Sequence, residues 1–273
     1  MGIDLSKKST VMPGSNGHVG DRAAWLQGGT SECATLPSPL KDPLRLVLLG
    51  APGVGKGTQA ELLHKWSGAC HLSTGDIFRD AKTLPPSERS PAIESALGFM
   101  ERGELAPDET VLALVSERLR CLRCPGGFLL DGFPRTVTQA EALEQWLEAQ
   151  NLPLTGVIDY ELSIDKIIER LAGRRVCANC KKVFHVTDQW ASPEKCPACG
   201  GQLYQREDDH PQAIRVRMEA YHQSTEPLIK FYRQRNLVLT IPAEGTPEEI
   251  FHRTADTLAL RPTRECKQHK SAT

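Results

Sequence analysis

Leu44-Arg45-Leu46-Val47-Leu48-Leu49-Gly50-Ala51-Pro52-Gly53-Val54-Gly55-Lys56-Gly57-Thr58 decides how this chain is read. A short run, apolar apart from Arg45, has the character of a buried strand. It ends in a glycine-rich turn, and a helical pattern follows. In that setting the glycines let backbone N–H groups point inward around a phosphate, and the helix N-terminus adds partial positive charge. A lysine at the end of the turn reaches the outer phosphates of a nucleotide. Gly53, Val54, Gly55, Lys56, Gly57 and Thr58 are therefore candidate phosphate contacts. One detail departs from the general motif: the residue after the lysine is Gly57 rather than Ser or Thr, with Thr58 next.

Outward from this loop, further apolar runs follow at Gly127–Asp131, Leu154–Tyr160 and Leu237–Ile241, with a short one at His71–Ser73. Between them lie helical periodicities. Ile164, Ile167, Ile168 and Leu171 fall at offsets of one helix face behind Ser163 as a cap, and Leu143, Trp146 and Leu147 repeat the spacing. Short buried strands alternating with amphipathic helices predict an α/β fold: a five-stranded parallel sheet flanked by helices, of the phosphate-loop NTPase type.

Residues 1–43 have no persistent period and recurrent Gly, Ser, Pro and Thr, so they read as a disordered extension, with Trp25 and Leu26 able to pin part of it to the core. Residues 260–273 read as a polar tail. Met1-Gly2-Ile3-Asp4-Leu5-Ser6 fits a short acylation pattern too loose to carry an assignment. Lys7 and Lys8 precede no apolar stretch, so a secretory leader is not expected. No run approaches the ~20 apolar residues of a membrane span. Lys plus Arg number 33 against 34 Asp plus Glu, a net charge of -1, which argues against bulk attraction to nucleic acid or membranes.

Nine cysteines without a leader suggest a reducing compartment and metal binding for the clustered thiols. Cys177-x2-Cys180 and Cys196-x2-Cys199 have the spacing of a four-thiolate structural zinc site, with two disulfides as the competing reading. Gly200 and Gly201 ease the second knuckle. His185 beside the first pair reads as a hydrogen-bonding residue rather than a ligand. Cys121-x2-Cys124 has no partner pair and reads as incidental; Cys33, Cys70 and Cys266 suggest nothing.

Several segments in order carry a resemblance. They are the Gly-Lys-Gly-Thr loop, His71–Arg79 (HLSTGDIFR), Arg102–Asp108 (RGELAPD), Leu130–Thr136 (LDGFPRT) with Gln139, Gly173–Val176 (GRRV), Arg206–Asp209 (REDD) and Arg215–Arg217 (RVR). Together they resemble adenylate kinases with a long, zinc-binding lid, over about residues 44–258. The resemblance implies a core (44–72, 107–172 and 210–259), a flap that binds the nucleoside monophosphate (73–106) and a lid (173–209). It implies ATP + AMP ⇌ 2 ADP with Mg2+, in a protein that is cytoplasmic and monomeric and has ATP and AMP as its partners.

Phosphoryl transfer asks for alignment, charge neutralisation and exclusion of water rather than covalent chemistry by the protein. Arg135 lies beyond a strand's carboxyl end, where open α/β sheets bind ligands, and guanidinium forks match phosphate geometry. By resemblance, Arg79 and Arg135 hold the AMP phosphate. Arg174, Arg206 and Arg217 gather on the transferring group when the lid shuts, and Arg170 stands against adenine. Asp131 ends a strand in the place of a magnesium-organising carboxylate, acting through water, and Asp76 can join it. Asp208 and Asp209 fit lid closure by pairing with arginines; Arg175 and Arg215 read as structural. Thr74 and Gln139 are suited to reading a base. Glu104, Leu105 and Ala106, with Gly132, Phe133 and Pro134, line the same pocket. In the lid, Val183 and Phe184 approach the ATP nucleotide, and Pro247 offers its carbonyl to adenine.

Three competing readings remain. The first is another monophosphate acceptor (UMP, CMP or GMP) on the same fold. The second is a zinc-knuckle protein with a nucleotide switch, against which 5% aromatic content and balanced charge weigh. The third is an inactive scaffold, which the presence of Lys56, Asp131 and the arginines opposes. Residues 1–40 are expected to be dispensable for turnover.

Overall fold

A computed structural model describes residues 25–26, 40–82, 85, 89, 91–102, 104–187 and 194–260. The acylation pattern, Cys33, Cys266 and the tail beyond residue 260 lie outside the described residues.

The opening stretch folds as read. Strand β1 (Leu44–Gly50) is buried at every residue but Arg45 and feeds the glycine turn and helix α1 (Lys56–Ser67). Strand β2 (Cys70–Ser73) leads into α2 (Thr74–Ala81), α3 (Pro91–Glu101) and α4 (Asp108–Ser116), and a 3-10 turn (Leu119–Arg123) brings the chain to β3 (Gly127–Asp131). Helix α5 (Val137–Ala149), β4 (Gly156–Glu161) and α6 (Ile164–Gly173) follow. Beyond the lid come α7 (Pro211–Ala220), a π-helical turn (Tyr221–Thr225), α8 (Pro227–Arg233), β8 (Val238–Pro242) and α9 (Pro247–Ala259). The sheet order is β2-β3-β1-β4-β8, with every neighbouring pair parallel. From central β1 the chain runs to the edge at β2 and back to β3, then crosses to β4 and β8. The connections leaving neighbouring β1 and β3 therefore run to opposite sides, and their carboxyl ends flank a switch in strand order, where such sheets bind ligands.

Two apolar clusters cover the sheet's two faces. One gathers Val47, Leu49, Leu72, Phe128, Leu130, Leu143 and Phe231; the other gathers Leu46, Leu48, Leu63, Leu129, Ile158 and Ile250. Alternate residues of β1 thus point to opposite faces, which is why a central parallel strand reads as a continuous apolar run. Helix α6 corrects one reading: Ile167 and Leu171 are buried, whereas Ile164 and Ile168 face outward. Ser163 holds the N-cap position without a side-chain cap bond.

The lid is a three-stranded antiparallel sheet, β6-β5-β7, built from β5 (Arg174–Cys177), β6 (Val183–His185) and β7 (Leu203–Tyr204). The cysteine readings need a second correction. Cys124 is not incidental, because Cys70 and Cys124 form a disulfide across 54 positions of sequence. The pairing follows from the sheet. Cys70 stands opposite Phe128 in the β2–β3 register, and Gly127 N donates to Cys124 O at 2.9 Å, so the start of β2 and the approach to β3 are neighbours. That adjacency has no period in the sequence. Trp25 and Leu26 pack on the core, Trp25 completely buried.

Candidate active site

The glycine turn is shaped by close packing. Gly50 has φ 129°, and a Cβ there would sit 2.5 Å from the Tyr160 carbonyl oxygen; at Gly53 (φ 85°) it would run into Leu171 at 2.6 Å. Side chains at either position would break the turn. Lys56 opens α1 and folds back over the loop, donating to Gly50 O at 2.7 Å and Ala51 O at 3.1 Å. Burial lowers its ammonium pKa; Asp131 opposes this, and Arg135, Arg217 and Arg174 add to it, leaving about 8. The named arginines show what stands around the lysine: side chains from the turn after β3, from α7 and from the lid.

Those cations form one group. Arg79, on α2, pairs with Asp76 at 2.5 Å. Arg135 follows β3 and the cis Phe133–Pro134 bond, and its Nε donates to Gly132 O at 2.9 Å. Arg174 opens the lid, and its Nε donates to Asp209 Oδ2 at 2.7 Å. Arg217 reaches Asp208 at 2.8 Å and Asp209 at 3.4 Å. Asp208 and Asp209 thus tie lid and α7 arginines together, as their spacing after Arg206 suggested. The Arg206 Nε is buried with no hydrogen-bond partner among the described residues. Burial, with Arg79 and Arg174 nearby, pushes its pKa down to about 9 against Asp208 and Asp209. Burial likewise brings Arg217 to about 10. Cations crowded to this degree are stabilised by a multivalent anion.

Asp131 ends β3, facing the loop: a Cβ on Gly57 would stand 3.6 Å from its Oδ2. Burial alone would raise its carboxyl pKa. The hydrogen bond and charge of His71, 3.4 Å away, and the charge of Lys56 outweigh that and hold it below the usual carboxylate range. This carboxylate is placed to organise a divalent cation beside the loop; Asp76, expected to join it, pairs with Arg79 at 2.5 Å. A water-bridged ion suits an oxygen donor held ionised in this way.

On the monophosphate side, the Thr74 hydroxyl donates to Gly132 O at 2.9 Å. Gln139 is buried, and both ends of its amide are engaged: Oε1 accepts from Arg135 N at 2.8 Å and Nε2 donates to Asp108 Oδ1 at 2.7 Å. One amide hydrogen is left for a base. Glu104, Leu105 and Ala106 form the return of the flap, Ala106 packing on the core. On the ATP side, Arg170 bridges Val54 O at 3.0 Å and Ala243 O at 2.9 Å, joining the phosphate loop to the segment before α9. The Pro247 carbonyl, within the first turn of the α9 ladder, also accepts from Gln59 Nε2 at 2.9 Å. Val183 is exposed on the lid, whereas Phe184 packs into the lid's small core. Reading residues one at a time missed His71, Asp108 and Gln59, which act on predicted residues across the fold. His71 and Asp108 lay within quoted motifs, where they had been given no role; Gln59 lay outside them all.

The four lid cysteines carry free thiols whose sulfurs all lie within 4.8 Å of one another. Cys177 and Cys199 are 3.4 Å apart, and Cys180 and Cys196 3.6 Å. Four thiolates on one tetrahedral ion stand roughly 3.8 Å apart, so the set fits a single metal ion and the two-disulfide alternative fails. Both knuckles use the same turn: Lys181 N donates to Cys177 O and Cys177 N to Lys182 O, and Gly200 N to Cys196 O and Cys196 N to Gly201 O. His185 stays outside the cluster, beside Thr187 Oγ1 at 2.6 Å.

A separate cavity of about 510 Å³ adjoins Ala51 at the carboxyl ends of β4 and β8. Its lining holds Asp159, Glu161, Glu226 and Glu244 and no lysine or arginine. Burial raises Asp159 to about 6, with Glu161 adding to the effect. So acidic a lining would repel phosphate, and the nucleotide cleft is the basic one. No described helix is long and apolar enough to cross a membrane.

A parallel sheet with a lysine-bearing glycine loop, an arginine-lined cleft and a small appended lid defines a phosphate-loop kinase of the nucleoside monophosphate class. The family described as "Adenylate kinase" matches residues 48–237. Adenylate kinases from Streptomyces avermitilis and Streptomyces coelicolor are both 45% identical to this chain, over 217 and 219 residues, covering 79% of it and 97% and 98% of their own lengths. One from Moorella thermoacetica is 47% identical over 200 residues, covering 72% of this chain and 90% of its own. The chain belongs to the adenylate kinase family.

Proposed function

We propose that the protein transfers the terminal phosphoryl group of ATP to AMP, reversibly, giving two ADP. The observation that carries this is the convergence of Lys56, Arg135, Arg174 and Arg217, from four separate segments, within electrostatic reach of one another beside Asp131. Backbone N–H groups of Gly53 to Thr58 cradle the ATP phosphates. Lys56 leaves the carbonyls it now holds for the outer phosphates. Arg79 and Arg135 fix the acceptor phosphate in line. Arg174, Arg206 and Arg217 meet the charge that develops on the group in flight, where one such arginine contributes roughly 10³–10⁵ in rate. Mg2+ bound with ATP would neutralise phosphate charge, and Asp131 is placed to hold its water shell. Arg170 and the Pro247 carbonyl frame the ATP base; Thr74 and the remaining Gln139 hydrogen frame the acceptor base. The lid excludes water so that transfer outruns hydrolysis.

Zn2+ is the ion the lid's four thiols fit, as a closed tetrahedral structural site. Backbone N–H groups of Cys180 and Asn179 support the Cys177 thiolate against burial and lower its pKa to about 6. We read the protein as a monomer acting on free nucleotides, with neither nucleic acid nor membrane as partner, in keeping with a net charge of -1. The Cys70–Cys124 bridge does not suit the reducing compartment that the cysteine usage suggested.

A coupled assay of ADP formation from ATP with AMP, CMP, UMP and GMP in parallel tests the reading. AMP is expected to give the highest kcat/KM. A clear preference for another monophosphate would move the assignment to the alternative acceptor, and no transfer to any of them would end it.

A further inference from the structure

Trp25 precedes the family match, which begins at residue 48, yet it sits inside the domain with none of its surface exposed. Its ring lies in the cluster that holds Leu72 of β2 and Ile77 and Phe78 of α2. Two hydrogen bonds fix it, and a third anchors the partner that makes one of them. The indole Nε1 donates to Ser73 O at 2.9 Å. Arg118 Nε donates to the Trp25 carbonyl at 2.7 Å, and the same guanidinium donates to Leu114 O at 2.8 Å. Arg118 is 2% exposed. A buried guanidinium is costly unless its hydrogen bonds are made, so this contact is built into the fold rather than laid on its surface.

The place it holds is the junction of β2 and α2, where the proposed flap begins. Ser73 is the last residue of β2 and the N-cap of α2, its hydroxyl accepting from Asp76 N at 3.2 Å. An N-cap carbonyl is where strand geometry gives way to helix. Here the indole N–H grips that carbonyl from the core side, while the ring packs under the first turns of α2. Thr74 and Arg79, both on α2, inherit whatever orientation the cap imposes. A side chain placed in this way bears directly on the expectation that residues 1–40 are dispensable.

We propose that Trp25 is a positioning residue for the monophosphate site, and that the segment ahead of β1 supplies it as part of the enzyme. The proposal rests on the reading that α2 holds the acceptor nucleotide. Loss of the indole N–H frees the Ser73 carbonyl; loss of the ring also empties the space beneath α2. Both weaken the acceptor side and leave the phosphate loop, which α1 and β1 hold, untouched.

The test is steady-state ADP formation by the full-length chain and its variants Trp25→Phe and Trp25→Ala, with each nucleotide varied at saturating levels of the other. Trp25→Phe keeps a ring and removes the donor, and is expected to raise KM for AMP roughly 3- to 10-fold, the range one buried hydrogen bond carries. Trp25→Ala is expected to raise it further. KM for ATP should stay within about twofold in both. An AMP-selective rise in Trp25→Ala alone would assign the effect to ring packing and still support the proposal. Equal shifts in both KM values, or none in variants whose melting shows them folded, would overturn it. If Trp25→Ala does not fold, Trp25→Phe decides. Failure of the kinase reading itself would appear in the unmodified chain as no AMP-dependent ADP, so the two failures are distinguishable.

Discussion

The core and the lid are held together by opposite means. In the core, apolar side chains on both faces of a five-stranded sheet are buried in two large clusters, and removing one leaves many neighbours in contact. In the lid the buried cluster is Cys177, Cys196 and Leu203, so two of its three members are candidate metal ligands. A segment this small cannot bury enough surface to fold on hydrophobic grounds. A metal held by the four thiols would supply the missing free energy and stiffen the segment as one body. The difference matches what each region has to do. On the proposed reading the core fixes the phosphate loop, whereas the lid moves and still delivers Arg174 at a defined angle.

The largest effect is expected where core chemistry is concentrated in one side chain. Lys56→Met should cut turnover by roughly 10³-fold or more, the scale of a cation serving this transition state, while circular dichroism stays native. A second signature follows from linkage. The folded chain holds the Lys56 proton with a pKa of about 8 against an ordinary 10.5. Between those values the unfolded chain binds more protons, so the stability of the ligand-free protein rises with pH from about 8 to about 10.5. Lys56→Met should lose that rise and gain stability below pH 8. A denaturant titration series across this range checks it, and identical pH profiles for the two proteins would show that the lysine is not buried at a cost.

Much of this was legible in the sequence, for physical reasons. Buried parallel strands read as apolar runs, a phosphate turn needs glycines at set places, and four thiols announce themselves by spacing. What stayed hidden depends on pairing across the fold. Trp25 read only as a side chain able to pin the extension to the core, because its partners, Ser73 and Arg118, are distant in sequence. Cys70 and Cys124 carried no signal because only the β2–β3 register brings them together. His71 read as part of a short strand, although it is the neighbour that helps keep Asp131 ionised. Helix α6 shows the converse: its periodicity was real, yet only Ile167 and Leu171 of the four residues found a core.

The lid gives the next largest effect. Cys177→Ser, or removal of the metal by a chelator, should abolish one equivalent of bound zinc on elemental analysis and unfold the lid alone. Turnover should fall by roughly 10²-fold, since misplacing a catalytic group by about 1 Å costs that much. The main thermal transition, which reports the core, should move little. Full zinc content in the variant would refute the four-thiolate site, and a core transition that collapsed with the metal would erase the contrast between the two regions.

The smallest effect on turnover, and the sharpest separation of the two kinds of cysteine, is expected from Cys124→Ser. The Cys70–Cys124 bridge closes a loop with a sequence separation of 54 inside the core and touches no phosphate-binding residue. Its chain-entropy contribution for a loop of that length is about 4 kcal/mol, and at about 2–4 °C per kcal/mol for a domain of this size the melting temperature should drop by roughly 10 °C. Turnover at 25 °C should hold within about twofold, because what the bridge constrains is chiefly the unfolded chain rather than the cleft. Reductant should reproduce the shift in the unmodified protein and add nothing to the variant, while a chelator acts on both alike. A reductant-sensitive lid with an insensitive core would reverse the assignment, making the lid thiols the redox pair and the core cysteines mere filling.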